Sequence, residues 1–361
     1  MAKAPSNYLA PVQVLRFLAA AMVLFGHAQH EAVEMGVVRA GSSFGFNPFE
    51  WGSGVDIFFI VSGFIMYYLC HDAFGKPGEA RRFFLRRLVR LVPTYWFFTA
   101  LMLVATLLFA SQLAHPEIDL AHLAASLFFI PWPNPQGATV PFLILGWTLN
   151  YEVLFYAVFG LCLLLPARAG LAVLVGLFGL AALLHGSVPA QHWMMAFWTD
   201  PIILEFLFGI GLAAAYLAGW RVSGPAAVAL ALAGFAALAL LYALGWQARD
   251  LRFLWAGVPA LMIAAAFALQ RETQVRGRGE ALLVLCGNAS YSLYLSHPFT
   301  INAIGLVWRK LGLAMPWAFV AAVCLASIAA SVVVYVLIEK PLVDGLGRKL
   351  NTRWRPAARP T

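Results

Sequence analysis

Ten stretches of apolar residues follow one another along this chain of 361 residues, each close to the roughly 20 residues that one bilayer crossing requires. Bounded by charges, proline or glycine, they predict helices over 9–29, 54–71, 93–111, 147–165, 170–186, 201–219, 225–245, 253–270, 290–307 and 316–338. Backbone amides in hydrocarbon have no water to bond, so such runs fold as helices that satisfy themselves. Composition agrees. Hydrophobic residues make up 62% and charged residues 11%, against about 45–50% and about 25% in soluble domains, which excludes a water-soluble globule. The expected fold class is an all-α integral membrane protein, a bundle of about ten transmembrane helices with a cavity between its two faces. Residues 1–345 are expected to form that single domain and 346–361 a basic tail.

The net charge of +8 needs no nucleic acid to explain it, because it follows the positive-inside rule. An even number of spans puts both termini on one side. Eighteen Lys and Arg fall on that side, against Arg39, Arg249, Arg252, Arg309 and Lys310 on the other. Both termini are therefore expected in the cytoplasm. The first apolar run lacks a small-residue cleavage site and contains Arg16 and His27, so it reads as a retained span rather than a signal peptide. Cys70, Cys162, Cys286 and Cys324 are far apart and include no C-x-x-C pair. Free thiols are expected, with neither a disulfide framework nor a metal site. Segment 115–146 is apolar but broken by Pro131, Pro133, Pro135 and Pro141, which predicts a partly buried outer excursion. Runs 225–245 and 316–338 are nearly uncharged and suit close helix packing as scaffold.

Ionisable residues inside spans are costly and are functional candidates by default. Arg16 and His27 are eleven residues apart on the first helix, which at 100° per residue is three turns plus about 20°, so they share one face roughly 16 Å apart. Asp56 opens the second span in GVDIFFIVSGF, Glu152 lies early in WTLNYEVLFY, and Asp200 and Glu205 begin the sixth. These acids and His27 are expected at one depth near the outer surface. A histidine beside a carboxylate is a common general-base arrangement. For Asp56 and Glu152 the alternative is helix-to-helix hydrogen bonding. His30, His115, His122, His185 and His192 fall in loops or helix ends and are expected to play no part.

Two further groups stand out. GEARRFFLRRLVRLVPTYW places Arg82, Arg86 and Arg90 four residues apart on one face just before a span, with Arg87 beside them. They read either as a lipid-headgroup anchor or as a patch for the phosphates of an anionic cytoplasmic cosubstrate. GNASYSLYLSHPF crowds Ser290, Tyr291, Ser292, Tyr294 and His297 into eight residues, which predicts a lined cavity. His297 is either a second functional histidine or an internal hydrogen-bond partner. Tyr291 and Tyr294 are candidates for the cosubstrate side of that cavity, and Trp147, Asn150 and His297 for the acceptor side.

Arg16-x10-His27, GVDIFFIVSGF, RRFFLRRLVRLVPTYW, GWTLNYEVLFY, SYSLYLSHPF and the closing EKPL, Glu339 to Leu342, together resemble the membrane acyltransferase-3 family, in its order and over essentially the whole chain. The form WTLNYE, with Asn150 where many members have Ser, is similar to the branch associated with bacterial exopolysaccharide acetylation. The resemblance implies O-acylation of a carbohydrate, with acetyl-CoA as cosubstrate, no metal, and a polysaccharide or lipid-linked saccharide as acceptor, in a bacterial inner membrane among its lipids. It implies that Arg16 and His27 are the essential pair, that Arg86 and Arg90 belong to the basic stretch and that Glu152 is the acid of the fourth-helix motif. A donor held at the inner arginines would then reach His27 through a channel in the bundle. His27 is expected as general base on the sugar hydroxyl, or as an acyl-carrying nucleophile, oriented by Glu152 or Asp56. A secondary transporter or lipid-linked sugar flippase is the rival reading, since intramembrane histidines and acids also relay protons.

Overall fold

The computed structural model describes residues 9–38, 44–108, 118–189, 191–270 and 277–350. Among them there is no β-strand, only two isolated bridges. The helices are α1 (Ala10–Glu34), α2 (Gly54–Cys70), α3 (Glu79–Leu108), α4 (Leu120–Leu127), α5 (Trp147–Cys162), α6 (Ala167–Leu184), α7 (Trp193–Trp198), α8 (Leu204–Leu217), α9 (Gly224–Ala243), α10 (Arg252–Trp255), α11 (Gly257–Ala268), α12 (Arg278–Asn288), α13 (Ser290–Lys310), α14 (Pro316–Val334) and α15 (Lys340–Lys349). Nine spans among the described residues are long and apolar enough to cross a membrane. Every predicted run falls on a helix. The run 290–307 lies in α13, a 21-residue helix that is not among those nine, its first half carrying the Ser, Tyr and His side chains noted above.

Helix ends differ from the predicted ones for local reasons. Pro11 near the start of α1 and Pro316 at the start of α14 occupy positions whose N–H is not needed. The predicted span 93–111 is the second half of α3, which begins at Glu79 and runs through Pro93. Arg and Leu are strong helix formers, so the basic stretch and the span are one rod. The last predicted span ends at Val334 and passes through a π-turn, Tyr335–Glu339, into α15. Of the stretch 346–361, residues to Lys349 complete α15 and residues 351–361 lie outside the described residues, as do His115 and Arg39.

The chain gathers into two compact units. One joins Met1–Tyr68 with Phe208–Leu337, the other Leu69–Leu207 with Ile338–Trp354.

In the first unit α1 is the organising helix. Val12, Leu15, Ala19 and Met22 pack into one core with Ile57, Ile60, Phe64, Ala260 and Ile263. Ala20, Leu24, Ala28 and Ala32, four residues apart and so on one face, pack into a second with Leu293, Ile301, Phe319 and Val323. Small side chains let helix backbones approach closely where lipid offers no hydrophobic drive. A Cβ on Gly287 of α12 would lie 2.0 Å from the Gln13 carbonyl oxygen, and one on Gly54 of α2 would lie 2.3 Å from that of Ala19. Only glycine permits either approach. On α9 and α14 side chains such as Leu232 and Leu325 are exposed, 63% and 71%, which suits the lipid-facing scaffold role expected of them.

The second unit is built on aromatic packing. Phe155 and Phe159 of α5 are fully buried, Phe155 stacked on Phe206 at 4.5 Å between centroids and Phe159 against Phe83 at 5.3 Å. The described part of the proline-broken segment, up to Leu143, forms no span. Asp119 caps α4 by accepting from Ala121 N–H, and the Asn134 side-chain oxygen accepts from Gln136 and Ala138 to close a turn. His122 is buried and its Nε2 donates to the Val140 carbonyl at 2.8 Å, while His185 Nδ1 bonds the Thr199 hydroxyl at 3.1 Å. Both serve the fold. The four cysteines are free thiols.

Candidate active site

His27 lies two-thirds of the way along α1, half-buried and bonded across to α13, where its Nδ1 is 2.8 Å from Nε2 of His297. His297 is almost fully buried, 1% exposed. Its own Nδ1 is 3.0 Å from the Leu293 carbonyl. Pro298 follows it within the helix. The sequence alternatives for His297 therefore merge: it is an internal hydrogen-bond partner, and its partner is the other candidate histidine.

The Tyr294 ring packs beside His297, centroids 6.2 Å apart, and against Phe58 at 6.0 Å. Tyr291, three residues earlier, is half-buried. Arg16 donates to Gln13 Oε1 at 2.9 Å and makes further contacts. It shares the α1 face of His27 as the eleven-residue spacing predicts.

Asp56 has a different partner from the expected one. Arg252 grips it with two parallel hydrogen bonds, Nε to Oδ1 at 3.0 Å and Nη2 to Oδ2 at 2.7 Å, and reaches Glu50 with Nη1 at 3.2 Å. The Asp56 side chain is fully buried and that of Arg252 is 18% exposed. A planar guanidinium matches a carboxylate on two bonds, which a histidine ring cannot do. Asp56 is therefore spent on tying α2 to α10, and His27 takes His297 in place of an acid.

In the second unit the four arginines of α3 divide. Arg82 pairs with Glu79 one turn earlier at the surface. Arg90 pairs with Glu339, whose side chain the π-turn before α15 carries to full burial. Arg87 lies over the rings of Phe83 and Tyr156, 6.0 and 5.9 Å from their centroids, and its buried Nε has no hydrogen-bond partner among the described residues. Arg86 is next to it, half-buried. Of the patch, Arg87 keeps a buried donor atom with no hydrogen-bond partner among the described residues, while Arg90 holds the fold.

Glu152 accepts from the hydroxyl of Tyr156, one turn along α5, and that tyrosine's ring is the one beneath Arg87. The sequence reading put Glu152 near the outer surface and the arginines at the inner one. One tyrosine links them. Because α3 is continuous from Glu79, Arg87 lies eight residues into the helix, about 12 Å along it. Asn150, on the same helix as Glu152, is 1% exposed, and neither amide atom has a hydrogen-bond partner among the described residues. Trp147 opens α5 half-buried, edge-on to Tyr151 at 6.0 Å.

A histidine pair bonded between two helices of the first unit and, in the second unit, an Arg87 Nε with no hydrogen-bond partner among the described residues are the polar features that apolar packing does not account for. Comparison with known proteins decides the family, since the model of an acyltransferase domain, acyltransferase-3, matches residues 11–336. The chain belongs to the acyltransferase-3 family. It is 36% identical over 297 residues to the exopolysaccharide production protein ExoZ of Rhizobium meliloti (strain 1021), covering 81% of this chain and 89% of that one. It is 28% identical over 190 residues to the putative peptidoglycan O-acetyltransferase YrhL of Bacillus subtilis (strain 168), covering 46% of this chain and 30% of that one. No solved structure matches it.

Within this acyltransferase, three residues did not emerge from reading the sequence. Arg252 was counted only as an outward charge, although an arginine at the head of a span is itself a sign of a buried acid nearby. Tyr156 lay within an apolar run, where its four-residue spacing from Glu152 was the available signal. Glu339 stood in the EKPL motif without a partner. A carboxylate after a 19-residue apolar helix needs one, and Arg90 supplies it.

Proposed function

We propose that this acyltransferase moves an acyl group, acetyl foremost, from acetyl-CoA on the cytoplasmic face of a bacterial inner membrane to a hydroxyl of an exopolysaccharide or lipid-linked saccharide. Both termini lie in the cytoplasm in this reading. The observation that carries it is His27, a half-buried imidazole within a membrane-spanning helix, bonded through one ring nitrogen while its Nε2 has no hydrogen-bond partner among the described residues. Such a ring is placed to take a proton in a transition state. Acyl transfer by the exopolysaccharide and peptidoglycan relatives' family supports the reaction class.

The donor is a thioester carrying phosphates. Arg86 and Arg87 fit it, because Arg87 has a buried donor atom not yet used and guanidinium forks match phosphate oxygens. His27 accepts the proton of the sugar hydroxyl as its oxygen attacks the thioester carbonyl. The carbon–sulfur bond then breaks, and the same proton passes from His27 to the leaving thiolate. Arg16 braces or flanks the donor's path, and Asn150 and Trp147 contact the acceptor. The unpaired amide of Asn150 favours a hydroxyl-bearing ligand, since a buried amide without partners is costly until one arrives.

The test is binding of acetyl-CoA to the purified, detergent-solubilised protein, with thioester hydrolysis followed in the same sample. Saturable binding that weakens with salt is expected. Arg87→Ala should raise the dissociation constant about tenfold, as loss of one hydrogen bond to a charged group implies. Unchanged affinity in both Arg86→Ala and Arg87→Ala would return the patch to a topological anchor, and no binding by folded protein would overturn the donor assignment.

A further inference from the structure

The His27–His297 pair has its hydrogens dictated by its neighbours. The Leu293 carbonyl beside Nδ1 of His297 can only accept, so that nitrogen carries a hydrogen. In the neutral ring Nε2 is then a bare acceptor. The 2.8 Å contact from Nε2 to Nδ1 of His27 requires the hydrogen on Nδ1 of His27, which leaves the lone pair of the pair of rings on Nε2 of His27. A charged ring would reverse this order, but His297 is buried among Leu293, Tyr294 and the apolar core beside it, and an ion there costs several kcal/mol. The chain of bonds thus runs from a backbone carbonyl at the buried end to an open nitrogen on the half-buried ring.

We propose that His297 is a positioning residue that holds His27 as its Nδ1–H tautomer and so makes Nε2 the atom that receives the acceptor's proton. In enzymes that orient a histidine with a carboxylate, the acid does this work. Here a second histidine does it, itself set by the Leu293 carbonyl. The arrangement has a consequence for the charged intermediate. When His27 holds the substrate's proton, its Nδ1–H still donates to a neutral acceptor, so both bonds of the pair survive the step and no second proton moves. The inference rests on the general-base reading of His27, and the experiment separates the two.

The wild-type protein, labelled with 15N-histidine and purified in detergent, is compared by NMR with His27→Gln, which removes one of the eight histidine signals and so assigns it. The expected result is that His27 has a protonated Nδ1 and an unprotonated Nε2 at neutral pH. The opposite tautomer, or an even mixture, would overturn the proposal whatever the activity. Transfer is read in membrane vesicles holding the protein, as alkali-labile radiolabel passed from acetyl-CoA to envelope carbohydrate. His297→Phe, which keeps the ring and removes the acceptor, should lower kcat on the order of 10²-fold with the KM for acetyl-CoA unchanged. His297→Gln, whose side-chain oxygen sits near the position of Nε2, should restore most of the rate and the tautomer. Wild-type transfer by folded His297→Phe overturns the positioning role. Full transfer by His27→Gln with the tautomer as expected would overturn the general-base reading instead. If His297→Phe fails to fold, the wild-type spectrum and the glutamine variant decide.

Discussion

Replacing His27 with alanine is expected to reduce acyl transfer at least 10²-fold and up to 10⁴-fold, the range that a positioned general base contributes. Folded yield should be retained, because His27 is half-buried and is not one of the apolar residues that form the two cores α1 organises. The lost bond leaves Nε2 of His297 without its donor, which costs about 1–3 kcal/mol. The measurement is alkali-labile label transferred from acetyl-CoA in vesicles, normalised to monodisperse protein. Acetyl-CoA affinity should stay at the wild-type value, since the phosphates are assigned to Arg86 and Arg87. Wild-type transfer by the folded alanine variant would remove His27 from the chemistry and leave the pair as helix glue.

Arg252→Leu should produce the largest loss of stability, about 3–5 kcal/mol, because it strands a fully buried carboxylate without its counter-ion. Membrane proteins often unfold irreversibly, so the quantity to follow is the midpoint of thermal loss of the monodisperse peak in detergent. Asp56→Asn alone should be milder, since Arg252 retains Glu50 at 3.2 Å and the amide keeps one bond. The pair Asp56→Asn with Arg252→Leu should recover most of the loss, and the double-mutant cycle isolates the coupling. An unchanged midpoint in Arg252→Leu would mean that Asp56 is stable without this partner. Because Asp56 serves packing, its variants should scale activity with the amount of folded protein. A full loss of transfer at normal yield would return Asp56 to the site.

Much of the fold was legible because transmembrane helices declare themselves locally. Apolar run length places α1, α2, α5, α6, α9 and α14 within a few residues, and Pro131, Pro133 and Pro135 mark the stretch that cannot span. The start of α3 was not legible as a helix end, since a basic segment and an apolar one share helix propensity and nothing between them breaks the hydrogen-bond ladder. In the site, the phase of Arg16 and His27 is a property of one helix and could be counted. Depth was harder. Glu152 was assigned by its distance from the start of its span, whereas Tyr156 reaching beneath Arg87 depends on how α5 lies along α3.

Sequence by itself determined the solvent, the helical class and the family. Each of these follows from composition, period or motif order along a single stretch. Only the tertiary structure decided the partners. His27 meets His297 across 270 positions, Asp56 meets Arg252 across 196, and Arg90 meets Glu339 across 249. A polar group buried in an apolar bundle must find a complement, and that requirement can be read from residue types. Which complement it finds depends on the helix contacts that Gly54, Gly287 and the alanine face of α1 allow, and those contacts are formed by helices far apart in the chain.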